Sequence, residues 1–308
     1  MLSAARARPA APAAAAPAPR VDWRACAAGA PRRRQQQLQR QQRQRDASAR
    51  AAGLDAQALL AAASAPHPGL APGAAVTAAV FAAGAPLLLK GLTPSGVAHA
   101  FALGTTVYAA FGAGGFALVM LYFVFGTAVT KVKLEQKQRE GIAEARSGRR
   151  GPSSVWGSGS AGAFCALAAL ATGDYALWQV GFVASFTSKL SDTVSSEIGK
   201  AYGKTTYLIT SLRRVPRGTE GAVSAEGTLA GLAAAALFAA AALAVGQASR
   251  GEVAVVTGAA FLANVFESYL GAAVQGRLPW LSNDLVNVLQ ISVAAGLAVA
   301  ARHWLQLA

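Results

Sequence analysis

The chain has 308 residues, 54% of them hydrophobic and 14% charged, with a net charge of +14. A charged fraction far below the roughly 25% of soluble domains excludes an ordinary soluble globule and points to a membrane protein. Its two cysteines, Cys26 and Cys165, exclude a disulfide framework and a cysteine-based zinc site.

Residues 1–55 hold eleven Arg, no Lys, no Glu and three Asp, among many Ala, Pro and Gln. An Arg-rich, acid-poor N-terminus with no apolar h-region before residue 70 has the composition of an organelle transit peptide. The alternative is a disordered basic arm that binds lipid headgroups or nucleic acid. RRRQQQLQRQQRQR (32–45) has no interleaved aromatics to stack on bases, so no nucleic-acid partner is expected. The expected division is a transit peptide and disordered basic N-terminus over 1–70, then an integral membrane domain over 71–308.

About 20 apolar residues cross a bilayer as a helix. AVSAEGTLAGLAAAALFAAAALAVG (222–246) does so with one charge near its start, and GGFALVMLYFVFGTAVT (114–130) nearly does so with none. The apolar windows fall at 75–89, 97–112, 114–130, 160–174, 176–193, 222–246, 252–275 and 284–301. The expected fold is all-α, a polytopic bundle of about 6–8 transmembrane helices. The loop 131–150 carries seven Lys/Arg and the stretch 199–217 carries five. Two spans separate them, so both lie on one side, and GRLPWLSND (276–284) returns to it. Positive charge marks the side from which a membrane protein inserts.

Five polar elements gather at that side. In KLSDTVSSEIGK (189–200), Ser185, Ser188, Asp192, Ser196 and Gly199 share a helical stripe, while Glu197 points about 140° from Asp192. Either the helix ends near Ser195 or Glu197 has a second role, such as pairing with Lys200 or Lys189. PRGTEGAVSAEGT (216–228) opens the longest apolar run. Gly218, Thr219 and Gly221 offer a tight turn with exposed N–H groups, Ser224 and Thr228 add hydroxyls, and the following helix presents its positive end. The turn lacks GxxxxGK[ST], so it is not a Walker A loop. An ordinary capped turn accounts for only one of those hydroxyls.

In ANVFESYLGAAVQG (263–276), Asn264, Glu267, Ser268, Gly271 and Gln275 share one face. A carboxylate there marks function in a membrane helix, unless the set serves interhelical hydrogen bonds and close packing. SNDLVNVLQ (282–290) places Asn283, Asn287 and Gln290 at i, i+4, i+7 beside Asp284; Asn283 or Asp284 can instead cap the last helix. GIAEARSGRRGPSSVWGSGSAG (141–162) brings Arg146, Arg149 and Arg150, each able to fork onto phosphate, or to anchor an interfacial helix on anionic lipid. Carboxylates beside phosphate-binding cations suggest Mg²⁺ held by one or two acids and substrate oxygens. His67, His99 and His303 stand alone and are read as structural.

The motifs SDTVSSEIG, then PRGTEGAVSAEGT, then FESYLGAAVQ and NDLVN resemble, in order, those of the integral membrane family that includes chloroplast phytyl-phosphate kinase. GIAEARSGRRGPSSVWGSG is similar to that family's Gly/Arg loop, and the resemblance runs from about residue 75 to the C-terminus. It implies a kinase that converts phytyl monophosphate to phytyl diphosphate with a nucleoside triphosphate, CTP being expected, for tocopherol synthesis. It also implies a multi-pass protein of a chloroplast membrane, expected to be the envelope, with the basic side in the stroma. The implied partners are an isoprenoid lipid phosphate and a nucleotide, with no obligate protein partner.

For this chemistry, the residues suggest that Asp192, Glu267 and Asp284 hold Mg²⁺. Gly218, Thr219, Gly221, Ser224 and Thr228 would cradle phosphate, and Asn264, Asn283 and Asn287 would contact substrate. Lys200, Arg213, Arg214 and Arg217 would neutralise the phosphates, with Asp192, Glu267, Lys200 and Arg217 expected to be catalytic. In-line phosphoryl transfer needs positioning and charge neutralisation above all, and an acceptor that is already anionic needs no general base. The alternatives are a lipid-phosphate cytidylyltransferase, which shares the Mg²⁺ and CTP requirements, and a membrane lipid transporter, which would show midplane polarity and inverted repeats.

Overall fold

The computed structural model describes residues 34–45, 57–58, 60–144, 148–274, 278 and 280–305. Cys26, Arg146, Gln275, Arg277 and most of the expected transit segment lie outside these residues. The chain divides into two units, Met1–Gln57 and Ala58–Ala308. In the first, residues 34–45 form a helix, α1, exposed along its whole length. Its Gln, Arg and Leu residues are good helix formers, so this part of the arm is helical where irregular chain was expected.

The second unit begins a dozen residues earlier than the expected boundary at 70/71. Gly69 N–H donates to Ala109 O at 3.0 Å, Tyr108 Oη donates to Ala63 O at 3.0 Å, and the His67 ring stacks on Tyr175 at 3.5 Å. These contacts tie 60–69 into the membrane bundle.

The bundle is built from α2 (Leu70–Gly91), α3 (Pro94–Thr130), the short α4 (Leu134–Arg139), α5 (Pro152–Thr172), α6 (Tyr175–Tyr202), α7 (Ala225–Ala244), α8 (Arg250–Ala273) and α9 (Asn283–Leu305). A two-stranded ribbon, β1 (Tyr207–Leu208) against β2 (Ala222–Val223), is an addition to the expected all-α architecture. Among the described residues, six helices are long and apolar enough to cross a membrane. One of them, α3, contains the two expected spans 97–112 and 114–130. Its backbone breaks at Gly112 (φ 59°, ψ −156°), a conformation open to glycine.

The two arms of α3 fold back on one another. Phe116 packs against Gly104, and Tyr108 and Phe116 meet edge-on at 5.7 Å. Leu103 and Tyr122 both reach one turn of α5, at Gly159 and Ser158. Nineteen residues of straight helix would separate the last two by roughly 28 Å. Adding α6, which polarity keeps out of the six, and counting the two arms of α3 separately gives eight helical passes among the described residues.

The helix ends follow their sequence signals. Thr93 caps α3, accepting from Gly96 N at 3.0 Å, with Pro94 in the first turn. Asp174 caps α6, accepting from Leu177 N at 3.1 Å. Gly173 ends α5 in the left-handed conformation, its N–H bonded to Ala169 O. At α9 the hydroxyl that accepts a helix N–H belongs to Ser282, from Leu285 at 3.3 Å, rather than to Asn283 or Asp284. The latter two are thereby left to face the cavity described below.

The core lies around α6, which packs against α3, α5, α7, α8 and α9 and is buried continuously from Val180 to Asp192. Apolar burial does little to drive helix association in lipid, so close packing and interhelical hydrogen bonds matter more. Phe111, Phe182, Phe186 and Tyr122 form an aromatic ladder with centroids 4.8–5.6 Å apart. Small residues draw α7 onto α6: a side chain on Gly227 would strike Ser195 O at 2.6 Å, and one on Gly231 would strike Ser191 O at 2.9 Å.

Candidate functional site

The stripe on α6 is split by its two neighbours. Ser191, Ser195 and Gly199 recur every fourth residue and face α7. Ser191 Oγ donates to Gly231 O at 2.9 Å and accepts from Asn264 Nδ2 of α8 at 3.3 Å. One residue on from Ser191, Asp192 faces a polar cavity of about 700 Å³, which Ser195, Ser196 and Gly199 also line. The cavity is walled by the ends of α3, α6, α8 and α9, the start of α5, and the loop residues 141–144, 148–150 and 218–224. The two basic loops therefore share one end of the bundle, as the charge pattern requires.

Of the expected site residues, Asp192, Lys200, Gly218, Thr219, Gly221, Ser224, Asn264, Glu267, Asn283, Asp284 and Asn287 line this cavity. Four do not. Arg213 and Arg214 are exposed at the turn beyond β1, where the Arg213 carbonyl accepts from Leu208 N at 2.9 Å. Arg217 forks onto Glu140, its Nη2 lying 2.8 and 3.0 Å from the two oxygens. Thr228 sits in the first turn of α7, its N–H bonded to Ser224 O. Ribbon formation swings 207–214 outward, which no local pattern signals.

The glycine turn is also more self-contained than expected. The Thr219 hydroxyl donates to Pro216 O at 2.8 Å, and the N–H groups of Thr219 and Ala222 bond to Pro216 O and Thr219 O. Ser224 Oγ accepts from Gly227 N at 3.1 Å, the ordinary cap. Gly221 (φ 69°) lies so close to α8 that an added Cβ would meet Ser268 O and Ala272 at 2.4 Å. Close approach to α8, as well as turn geometry, demands glycine there.

Lys189 is the main residue that sequence reasoning passed over. It is 6% exposed, and its ammonium donates to Asp192 Oδ2 at 2.7 Å and to Asn287 Oδ1 at 2.8 Å. It thereby joins α6 to α9 in the cavity floor. A lysine inside the expected span 176–193 was the available signal. Glu267 lines the same cavity. Among the described residues no cation stands within ion-pair distance of it, and Ser268 Oγ is its hydrogen-bond partner at 3.4 Å.

Helix α6 is unbroken to Tyr202, which resolves the alternative posed for Glu197. Its carboxylate pairs with Lys137 of α4, both at 1% exposure, and more loosely with Lys200 at 3.5 Å. Lys137 also donates to Thr130 O at 2.8 Å. Glu197 thus anchors the first basic loop. Lys200 continues to Glu144 at 3.2 Å. Burial pushes the Glu144 carboxyl up, but Lys200, helped by Lys189 and Arg150, outweighs it and holds the carboxyl below its ordinary range. At the rim, partial desolvation pushes the Glu220 carboxyl up, with Lys200 opposing and Glu144 and Asp192 reinforcing.

The cavity thus combines six carboxylates (Glu144, Asp192, Glu197, Glu220, Glu267, Asp284) with Lys189, Lys200, Arg149 and Arg150. Among the described residues no three His, Cys, Asp or Glu side chains cluster tightly enough to hold a metal ion by themselves. Protein ligands number one or two where Mg²⁺ is shared with substrate phosphates, and the separated Asp192, Glu267 and Asp284 fit that arrangement. Asp192 already serves Lys189, so Glu267 and Asp284, which hold no ion pair among the described residues, are the freer carboxylates.

The model of the integral membrane protein family DUF92 matches residues 76–295. Protein VTE6, chloroplastic, of Arabidopsis thaliana is 52% identical over 232 residues, covering 73% of this chain and 70% of that protein. An uncharacterized membrane protein of Synechocystis is 50% identical over 220 residues, 71% of this chain and 85% of its own. One from Methanocaldococcus jannaschii is 30% identical over 185 residues, 59% of this chain and 74% of its own. No solved structure matches. The chain belongs to the DUF92 family of integral membrane proteins.

Proposed function

We propose that this DUF92 family member is a membrane-bound kinase that transfers a phosphoryl group from a nucleoside triphosphate, with CTP expected, to phytyl monophosphate. The product, phytyl diphosphate, would enter tocopherol synthesis, a placement that rests on the motif resemblance. Similarity to the Arabidopsis protein called chloroplastic supports a chloroplast membrane as the location, with the envelope as the specific expectation. The observation that carries the reading is one polar cavity, at the basic end of the bundle, that holds both carboxylates and cations and opens toward apolar helix surfaces.

The reaction is an in-line displacement. An oxygen of the lipid phosphate forms a bond to the γ-phosphorus, the bond from that phosphorus to the β–γ bridging oxygen breaks, and the nucleoside diphosphate leaves with the electron pair. The nucleophile is already an anion, so no residue need remove a proton. The protein's work is to hold two polyanions together, which costs repulsion that local cations must offset. Lys189, fixed between Asp192 and Asn287, and Lys200, fixed between Glu144 and Glu197, supply positive charge at set positions. Asn264 and Asn283 offer hydrogen bonds to substrate oxygens. Glu267, with Asp192 and Asp284, would hold Mg²⁺ together with nucleotide oxygens, and the ion would neutralise phosphate charge.

The test uses membranes that carry the full chain, supplied with phytyl monophosphate, Mg²⁺ and CTP labelled in the γ-phosphate or in the base. Label from the γ-position in phytyl diphosphate, with CDP released, is the expected outcome. Base label in the lipid, with diphosphate released, would make the protein a cytidylyltransferase. No labelled lipid with any nucleoside triphosphate would overturn the kinase reading.

A further inference from the structure

Arg150 occupies an unusual place. Its backbone stitches α2 to α3: its N–H donates to Gly91 O at 2.9 Å and its carbonyl accepts from Thr93 N at 3.0 Å. Its guanidinium lies over the Tyr122 ring, 4.7 Å from the centroid. Room for it exists because residue 126 is glycine; a Cβ there would stand 2.6 Å from Arg150 Nη2. Among the described residues no carboxylate lies within ion-pair distance of this guanidinium. Of the other cavity cations, Lys189 and Lys200 each hold a carboxylate, and Arg149 is bonded to Leu92 O at 3.1 Å. Arg150 is held in position without being neutralised by contact.

Arg150 also borders a second, apolar pocket of about 50 Å³ between α2, the two arms of α3, the start of α5 and α6. Phe81, Leu88, Leu103, Phe116, Val119 and Phe123 form its walls. Four residues line both this pocket and the polar cavity: Tyr122, Arg150, Ser154 and Ser158. Tyr122 Oη donates to Ser158 Oγ at 2.9 Å across the junction. Helix α5 starts beside it with no side-chain cap, so its N-terminal N–H groups add positive potential at the same point. An aromatic-backed cation with no contacting carboxylate, between a wet cavity and a dry pocket, matches a ligand that is a phosphate at one end and a hydrocarbon at the other.

We infer that the Arg150–Tyr122 junction is the subsite for the acceptor lipid monophosphate, with the phosphate on Arg150 and the first carbons of the chain in the α2–α3 pocket. This deepens the kinase reading and rests on it for the identity of the lipid. The pocket is too small for a whole phytyl chain. Helix α2 has little of its surface buried, and Phe81 at the pocket wall is only partly buried, so the rest of the chain leaves between α2 and α3 into the bilayer. The site therefore reads the branched carbons next to the phosphate and is indifferent to chain length beyond them. Phytyl, geranylgeranyl and farnesyl monophosphates become comparable acceptors, and an unbranched alkyl phosphate becomes a poor one.

The experiment is done on the full chain in lipid nanodiscs. Arg150→Gln should raise the KM for phytyl monophosphate by roughly tenfold or more, as expected for loss of a charge-assisted contact, and leave the nucleotide KM within about twofold. Arg150→Lys should recover part of the loss, and Val119→Trp should raise the lipid KM alone by filling the pocket. A change confined to the nucleotide KM in Arg150→Gln would place the donor there and overturn the inference. The second arm needs no catalysis or variant. Phytyl monophosphate with a diazirine on its first isoprene unit should crosslink to α2 and α3 residues around Leu103 and Val119. Crosslinking elsewhere, or competition by phosphatidylglycerol as effective as by unlabelled phytyl monophosphate, would make the junction something other than an acceptor site. Crosslinking at these helices without phosphoryl transfer from any nucleotide would sink the kinase reading and leave this site standing.

Discussion

Lys137 and Glu197, 60 positions apart, form an ion pair in which each side chain is 1% exposed. One sits on the six-residue helix α4, the other on the central helix α6. Through them the first basic loop is fastened to the core, and Lys200, three residues after Glu197, is set at the cavity edge. Removing Lys137 leaves the buried Glu197 carboxylate only its looser contact with Lys200 at 3.5 Å, so most of its charge goes uncompensated. Lys137→Met is expected to destabilise the protein by about 3–5 kcal/mol and to lower activity through loss of loop position. The combined Lys137→Met, Glu197→Leu variant should recover much of the stability, because an apolar pair of similar volume replaces the ion pair. Thermal unfolding in detergent, read for the single and double variants, checks both statements; additive losses would contradict them.

Glu267 and Lys189 are expected to divide the chemistry. Glu267→Gln should lower kcat by about a hundredfold or more, the scale for loss of a group that stabilises transition-state charge, and shift the Mg²⁺ dependence to higher concentration. Lys189→Met should lower kcat and also loosen α6 from α9, since Asp192 and Asn287 lose their shared donor. Titrating Mg²⁺ separates the two: its midpoint should rise for Glu267→Gln and should not rise for Lys189→Met, which removes a cation and frees Asp192.

The reversal inside α3 depends on Gly112. Its positive φ strains any L side chain, and a Cβ would meet Pro66 O at 3.1 Å and Ala65 O at 3.3 Å. Gly112→Ala should cost about 1–3 kcal/mol, and Gly112→Val more. The melting temperature of each variant gives the answer, and a value equal to wild type would show that the arms do not need this turn.

Glu144 gives a pH dependence of definite sign. Its folded-state carboxyl sits below the ordinary value of 4.5 because Lys200 outweighs the effect of burial. A depressed folded value means the unfolded state takes up protons more readily, so stability rises with pH through this range. The contribution of the pair is complete above about pH 4.5 and fades as pH falls through the lowered value. Glu144→Gln should match wild type at the acid end and lose the pair's contribution above about pH 4.5, a small loss because the pair is half-exposed, so the two curves converge as pH falls. Melting temperatures from pH 3 to 7 for both proteins make the comparison.

Two crossings of α6 by α7 make a further test of packing. Gly231 faces Ser191 O and Gly227 faces Ser195 O, each too close to accept a Cβ. Gly231→Leu is expected to prop the helices apart and abolish folding, whereas Gly258→Leu, with open space around it, should insert and fold normally. Protease resistance in the membrane distinguishes them.

Hydropathy places spans because each helix must satisfy its own backbone in lipid, a property of local sequence. The all-α bundle, the separate runs 97–112 and 114–130, and the gathering of basic loops at one end all follow from it. So does the placement of Asp192, Glu267, Asp284 and Asn287 near the same water interface, since their distances from the span ends are fixed by rise per residue. What each polar residue touches was another matter. The polar residues of α6 divide between packing, as at Ser191, and the cavity, as at Asp192 and Ser196 of the expected stripe, only once α7 is laid on the helix. Arg213 and Arg214 leave the cavity because a short ribbon turns them outward, and Lys189 joins the site because α9 brings Asn287 within reach. Which helices become neighbours is decided by close approach at Gly199, Gly227 and Gly231, and by side-chain pairing across nearly a hundred residues. The sequence by itself determined the membrane class, the spans and the polar end; only the tertiary structure decided the partners, because hydropathy acts residue by residue along the chain while partner choice is a contest among whole helix surfaces.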